Sequence, residues 1–186
     1  LNITLTKRHE TSMSGIPVHT LELHLQTLMK NNFVVAIAEQ IEPTTDNKGL
    51  IQRKVVRVVS PSTYFETTRL QARNNFFAAL YQLNSLIGLC LIDISTGECL
   101  VQEENHICQI MDELHKRCPK ELLISHSMHN MYKEQLHMLK KNLEIKLHCQ
   151  ENFQFDYASN YEFLTKKFNI QSLDTFGLKG KSAAIN

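Results

Sequence analysis

Between Thr20 and Ala38 the chain passes directly from one hydrophobic period to another, and few folds accommodate that change. Leu21, Leu25, Leu28 and Met29 recur at helical spacing, Thr20 suits an N-cap and Asn31-Asn32 a stop, so an amphipathic helix is predicted from Thr20 to Asn31. Directly after it, Phe33-Val34-Val35-Ala36-Ile37-Ala38 is an apolar, partly β-branched run without polar alternation, the pattern of a strand covered on both faces. A helix feeding a buried strand implies α/β layering. No apolar stretch approaches the roughly 18 to 20 residues that a membrane span requires. With 186 residues, 42% hydrophobic and 21% charged, the chain has material for one ordinary soluble domain or two small ones.

Glu42 to Gly49 is rich in turn formers, and from Ile51 to Val59 a valine-rich strand pattern resumes, carrying Arg53, Lys54 and Arg57. Pro61 cannot donate to a sheet ladder, so the strand stops there, and a boundary falls between Ser60 and Asn74. This divides the chain into a front domain (1–62), a linker (63–74) and a rear domain (75–186). In the rear domain Asn75–Leu83, Gly88–Ser95 and Glu98–Val101 read as an antiparallel meander. An apolar helical stripe follows (Ile107, Ile110, Met111, Leu114), ended by Pro119, then a strand over Glu121–Ser125. A helix carrying Met131, Leu136 and Leu139, a strand over Leu143–Cys149 and a last helix over Ala158–Phe168 close the pattern. Three meander strands followed by helix-strand-helix-strand-helix is the order of a ribonuclease-H-like sheet.

The formal net charge is +1, and splitting after Ser62 gives +2 in front (seven Lys/Arg, five Asp/Glu) and −1 behind (thirteen, fourteen). Any nucleic-acid contact therefore depends on local placement of charge. The five cysteines (Cys90, Cys99, Cys108, Cys118, Cys149) are odd in number and lack a C-x-x-C pair, which fits a reducing, cytoplasmic setting. The opening Leu1-Asn2-Ile3-Thr4-Leu5 has no signal-peptide features and reads as a cut inside a longer chain.

Several blocks occur in a family's order and spacing. In front they are Leu1-x-Ile3-x-Leu5-Thr6-x-Arg8, Met13-Ser14-Gly15-Ile16-Pro17-Val18-His19, Ala36-Ile37-Ala38-Glu39-Gln40 and Arg53-Lys54-Val55-Val56-Arg57-Val58-Val59-Ser60-Pro61. Behind, they are Asn74-Asn75-Phe76-Phe77-Ala78-Ala79, Gly88 with Asp93-Ile94-Ser95-Thr96-Gly97-Glu98, and Pro119-Lys120-Glu121-Leu122-Leu123. Together these resemble the MutS family of DNA mismatch repair proteins. The resemblance implies an α/β chain of two small domains: part of a mixed α/β mismatch-recognition domain, then a ribonuclease-H-like connector domain cut short at its end. It further implies a homodimeric clamp on mismatched double-stranded DNA that responds to ATP and Mg and recruits a MutL-like protein. The family's Phe-x-Glu wedge would precede Leu1 and its ATPase site would follow Asn186, so no catalytic, cofactor or metal residue is expected in this segment.

The resemblance places the Arg8 loop beside the duplex, where a guanidinium suits a phosphate; the alternative is a solvated loop arginine. Met13, Gly15, Ile16 and Pro17 would form a small apolar ridge near a distorted minor groove, or else a plain turn. Arg53 is a further phosphate-contact candidate, its even spacing from Arg57 placing both on one strand face. Arg57 is expected to be solvated or paired with Glu39 or Glu42. The Glu39-Gln40 pair either buttresses the DNA-reading loop or is ordinary strand-end polarity. The competing class is a metal-dependent nuclease on the rear domain, with Asp93 joined by Glu98, Glu121 or Asp174; Asp93 fits better as a brace for its hairpin turn. His106, Cys108, His115 and Cys118, with His126 and His129, are too dispersed over a helix to aim at one zinc ion, and read as core cysteines and surface histidines.

Overall fold

A computed structural model describes residues 1, 3–41, 52–64 and 74–186, with Arg8 described by its backbone alone. The chain divides into two compact units, Leu1–Tyr64 and Phe65–Asn186. The turn-rich stretch 42–49 lies outside the described residues, as does the connection from 65 to 73.

The first unit opens with a hairpin of β1 (Leu5–Arg8) and β2 (Thr11–Ser14), closed by a two-residue turn in which His9 has φ 55°. A 3-10 turn (Val18–Thr20) leads into α1 (Leu21–Lys30). Thr20 does not cap this helix, because the 3-10 turn gives it φ −95° and ψ 1° and its hydroxyl donates to the Pro17 carbonyl at 2.8 Å. At the far end Asn32 takes a left-handed conformation (φ 58°), and the Asn32 and Phe33 amides bond the Met29 and Leu28 carbonyls, so the Asn pair is the stop the sequence predicts. β3 (Val35–Gln40) then pairs antiparallel with β4 (Arg53–Val59).

The expectation that this strand is covered on both faces is not met. Val35 and Ile37 are half-buried, Ala36 and Ala38 are exposed, and on β4 Val55 and Val58 are 53% and 60% exposed. The described sheet has only two strands, and its covered side is the one that carries buried Val59. An apolar run encodes only that a face can be buried; what lies against it is settled by other segments.

The second unit is built on a five-stranded sheet in the order β7-β6-β5-β8-β9. β5 (Phe77–Leu83), β6 (Leu86–Asp93) and β7 (Glu98–Glu104) form the antiparallel meander, while β8 (Glu121–Ser125) and β9 (Lys146–Gln150) are parallel to β5. On one face Ala78, Leu80, Leu89, Leu91, Leu122 and Ile124 pack in one core with Ile110 and Leu114 of α2 (Ile107–Arg117), Met128 of α3 (His126–Met131) and Leu136 and Leu139 of α4 (Lys133–Leu143). Met131 closes α3 and is 62% exposed, so the single helix expected through Met131 and Leu139 is two helices broken at Tyr132. The Ser125 hydroxyl caps the first of them by accepting from the Met128 amide at 3.3 Å.

On the opposite face lies a short helix the periodicity does not disclose, α6 (Ser182–Ile185), against which α5 (Tyr157–Phe168) packs. Tyr81 of β5 stacks on Phe155 with centroids 4.8 Å apart. α6 rests on β6 at Gly88, where a Cβ would fall 2.3 Å from the backbone of Ala183 and Ala184. Glu103 anchors the same helix by accepting from the Ala184 amide at 3.0 Å.

Asp93, 1% exposed at the end of β6, holds the hairpin turn. Its Oδ1 accepts from the Ser95 amide and hydroxyl (2.8 and 2.6 Å), and its Oδ2 from the Asn75 amide (2.9 Å). Burial by itself would raise its pKa, but the hydrogen bonds from Ser95, Asn75 and Thr96 outweigh it and hold the carboxyl below the ordinary aspartate value.

Both contacts can be tested by substitution. Gly88→Ala forces α6 off the sheet; amide exchange at Ala184 and Ile185 should rise while Leu89 and Leu122 stay protected, with a loss of about 1–3 kcal/mol in urea unfolding. Because the folded pKa of Asp93 is depressed, its contribution is present above the unfolded aspartate value and is lost as pH falls through the folded one. Asp93→Asn should therefore destabilise by about 1–3 kcal/mol at pH 7, and the gap to the unmodified chain should narrow as urea titrations are moved from about pH 4 downward.

Candidate nucleic-acid interface

The hairpin places two of the DNA-contact candidates, Arg8 and Met13, by local pairing alone, and Gly15, Ile16 and Pro17 follow it directly in the chain. Arg8 ends β1 opposite Thr11, and Met13 lies on β2 opposite Thr6, whose hydroxyl donates to the Met13 carbonyl at 3.0 Å. Thr11 and Ser12 belong to β2, because the two residues His9 and Glu10 suffice to reverse the chain. Met13 is 44% exposed. After it, Gly15 and Pro17 are exposed and Ile16 is half-buried, so an open stretch runs from the hairpin into the 3-10 turn. Nothing among the described residues comes within 4 Å of a Cβ placed on Gly15, so their packing does not call for glycine there. Lys7 and His9 are also exposed beside Arg8. Sequence reasoning misses both, though three consecutive basic residues at a hairpin tip are the available signal.

On the second ribbon the structure separates two arginines that the sequence groups. Arg57 pairs with Ile37, but Val55 pairs with Ala38, so Val56 is an extra residue in β4 and the register shifts there. Such a bulge reverses the alternation beyond it. Arg53 consequently shares a face with Gln40, Ala38 and Ala36, and Arg57 with Ile37 and Val35. The expectation that Arg53 and Arg57 lie on one face is thus corrected: even spacing places two side chains together only in an unbroken ladder. Arg57 is directed to α1, where it pairs with Glu22 at 3.2 Å, the two side chains being 48% and 63% exposed. Its partner is therefore Glu22, on a helix far away in sequence, and not Glu39; Glu42 lies outside the described residues. Arg53 remains exposed on the open face, and Glu39 sits opposite Lys54.

The acidic residues of the second unit do not converge. Asp93 lies on the sheet face of Leu89 and Leu91, whereas Glu121, in register with Phe77 and through it with Ile92, lies on the other. The lone pairs of Asp93 are engaged by its turn, and Glu121 is 2.7 Å from His148 Nε2. Glu98 accepts from the Asn74 amide group, and Asp174 is exposed in a 3-10 turn. Among the described residues no three His, Cys, Asp or Glu side chains are grouped to hold a metal ion. Cys108 and Cys118 are exposed, which corrects their reading as core residues: Cys108 lies off the stripe of Ile110 and Leu114, and Cys118 sits in the left-handed position (φ 49°) that ends α2. No helix among the described residues is long and apolar enough to cross a membrane.

Comparison with known proteins accounts for both units. The family model of MutS domain I matches residues 1–68 and that of MutS domain II residues 75–186. A protein named DNA mismatch repair protein MutS from Protochlamydia amoebophila is 41% identical over the whole chain, which covers 22% of it. Proteins of the same name from Chlamydia abortus and Lachnoclostridium phytofermentans are 33% and 31% identical over the whole chain, which covers 23% and 20% of them. The chain thus spans about a fifth of the length of these curated relatives. With two successive domain models matched in order on two separately folded units, the chain belongs to the MutS family.

Proposed function

We propose that this chain is the recognition and transmission part of a DNA mismatch repair protein. Its first unit acts as the rear of a mismatch-recognition domain. There Arg8 and Arg53 contact phosphates, and Met13, Gly15, Ile16 and Pro17 line the distorted groove. The second unit acts as a ribonuclease-H-like connector that carries strain between a DNA clamp and an ATPase and offers a docking surface to a MutL-like protein. The strand order β7-β6-β5-β8-β9, with a meander on one side and parallel strands on the other, supports that reading of the connector. ATP and Mg, the homodimer contact and the mismatch wedge are assigned to other parts of the full-length protein, and the chain itself is read as non-catalytic. Such proteins meet their DNA in the reducing interior of the cell, which matches a cytoplasmic placement.

The observation that carries the proposal is the exposed set at the hairpin and on the open ribbon face. Met13, Gly15 and Pro17 are presented outward, and the bulge directs Arg57 to α1 while leaving Arg53 exposed. A glycine that neither a positive φ nor any described neighbour requires suits a site where another backbone approaches closely. The physical basis of recognition is then indirect readout: a mispair unstacks at lower cost than a matched step, and contacts that hold the bent duplex convert that difference into affinity.

In fluorescence anisotropy with labelled duplexes, the whole chain should bind weakly, with a dissociation constant on the order of 10⁻⁴ to 10⁻⁶ M at physiological salt. The log of its affinity should fall linearly with the log of salt. Arg53→Glu should weaken matched and mismatched duplexes alike and lower the salt slope by about 1. Tight, mismatch-selective binding by this chain alone would overturn the assignment of the wedge to another segment. Arg57→Ala should leave DNA binding unchanged and cost less than about 1 kcal/mol of stability, as expected for an exposed ion pair.

A further inference from the structure

On the sheet face away from α2, Cys90 of β6 and Cys99 of β7 stand as diagonal neighbours: Cys90 pairs with Val101 and Cys99 with Ile92. Their sulfurs are 3.9 Å apart, with the Cys99 residue exposed and Cys90 half-buried. The other three cysteines are elsewhere, Cys108 and Cys118 on and after α2 and Cys149 on β9. β7 is the edge strand of the described sheet, and the exposed Cys99 is the sulfur that small molecules reach. We propose that Cys90 and Cys99 form a thiol-disulfide exchange site, at which Cys99 attacks a low-molecular-weight disulfide such as glutathione disulfide and Cys90 resolves the product into an intramolecular disulfide tying β7 to β6.

The two thiols divide the chemistry unequally. The Cys90 thiol donates to Cys99 and holds its pKa down at about 7, while the same hydrogen bond, with burial, holds Cys90 well above the ordinary thiol range. The exposed sulfur is therefore the one that ionises first while the inner one keeps its proton, the division expected of an attacking and a resolving cysteine. In the first step the Cys99 thiolate forms a bond to one sulfur of glutathione disulfide and expels a glutathione thiolate. With Cys99 no longer anionic, Cys90 loses its proton to solvent and attacks the Cys99 sulfur, displacing the second glutathione. The two cysteines are oxidised by two electrons, and one glutathione disulfide is reduced to two glutathiones. Diagonal cross-strand positions are wider apart than directly opposed ones, so the closed bond is strained and readily reduced. It would act as a reversible modification rather than a structural brace.

The test uses the whole chain, since Glu98 lies between the two cysteines and proteolysis after it leaves them on peptides that only a disulfide holds together. After incubation with glutathione disulfide at pH 7 and quenching with an alkylating agent, mass spectrometry should find the Cys90 and Cys99 peptides linked and Cys108 and Cys118 alkylated. Cys90→Ser should stop at a glutathione adduct on Cys99, and Cys99→Ser should give neither species. Before oxidation, Cys99 should alkylate on the order of fivefold faster than Cys108, its larger thiolate fraction outweighing its lower intrinsic nucleophilicity. Alkylation of Cys99 no faster than Cys108, or a glutathione adduct on Cys99 of the unsubstituted chain that never proceeds to the linked peptides, would overturn the proposal. Because the unsubstituted chain carries the main readout, the experiment decides the matter even where a variant misfolds. None of these outcomes depends on DNA binding.

Discussion

The second unit depends on β5 being antiparallel to one neighbour and parallel to the other. An antiparallel partner needs only a short turn, which Asn84-Ser85 supplies with Asn84 at φ 56°. A parallel partner requires a crossover, normally a helix, and the chain must return from β7 at the edge, past β6 and β5, to place β8. α2 is that crossover, which is why its apolar stripe of Ile110, Met111 and Leu114 is buried, with the half-buried Glu113 and Arg117 paired at 2.7 Å along its flank. The ladder continues past the strand ends, with the Lys120 amide bonding the Phe76 carbonyl and the Lys146 amide the Lys120 carbonyl, both at 3.0 Å. The Asp93 carboxylate closes this same end by bonding Asn75 before β5 and Ser95 after β6.

In the first unit one inserted residue has comparable reach. Without Val56 as a bulge, Arg53 and Arg57 would both lie beside α1 or both lie opposite it. With it, one arginine fixes helix to sheet through Glu22 and the other is left exposed with Ala36, Ala38 and Gln40 on its face. The pair to Glu22 is exposed and contributes little energy. Its effect is on placement, since it withdraws one cation from the basic cluster and leaves the other available.

Much of this is legible in the sequence. The strand Glu121–Ser125 is bounded as read, α1 and α5 fall within a residue of their periodic stripes, and Asp93 braces its turn because aspartate two residues before serine favours that local bond. What is not legible has a common cause. The bulge, the Arg57–Glu22 pair, the open face of β3, the break between α3 and α4 and the docking of α6 at Gly88 are all set by residues distant in sequence or by register, which a window of periodicity does not contain. α6 has four residues, too few to show a helical period, and its place is marked by the close approach at Gly88 and the Glu103 bond, both distant in sequence. The hairpin site is the reverse case: Arg8 and Met13 stand out by their blocks, while Lys7 and His9 emerge only once the two-residue turn is known.

A near-neutral chain with a few placed cations suits mismatch discrimination better than a strongly basic one would. Phosphate contacts stabilise matched and mismatched duplexes equally, so each added one deepens non-specific binding without enlarging the difference between them. Discrimination has to come from the lower cost of deforming a mispaired step, a difference expressed only if the protein holds the bent duplex without holding the straight one as tightly. On the proposed reading, a net charge of +1 distributed as +2 in front and −1 behind keeps the general attraction small. Arg53 on an open strand face and the narrow ridge from Met13 to Pro17 then act as local points of contact, whose value depends on the shape the DNA has been made to take.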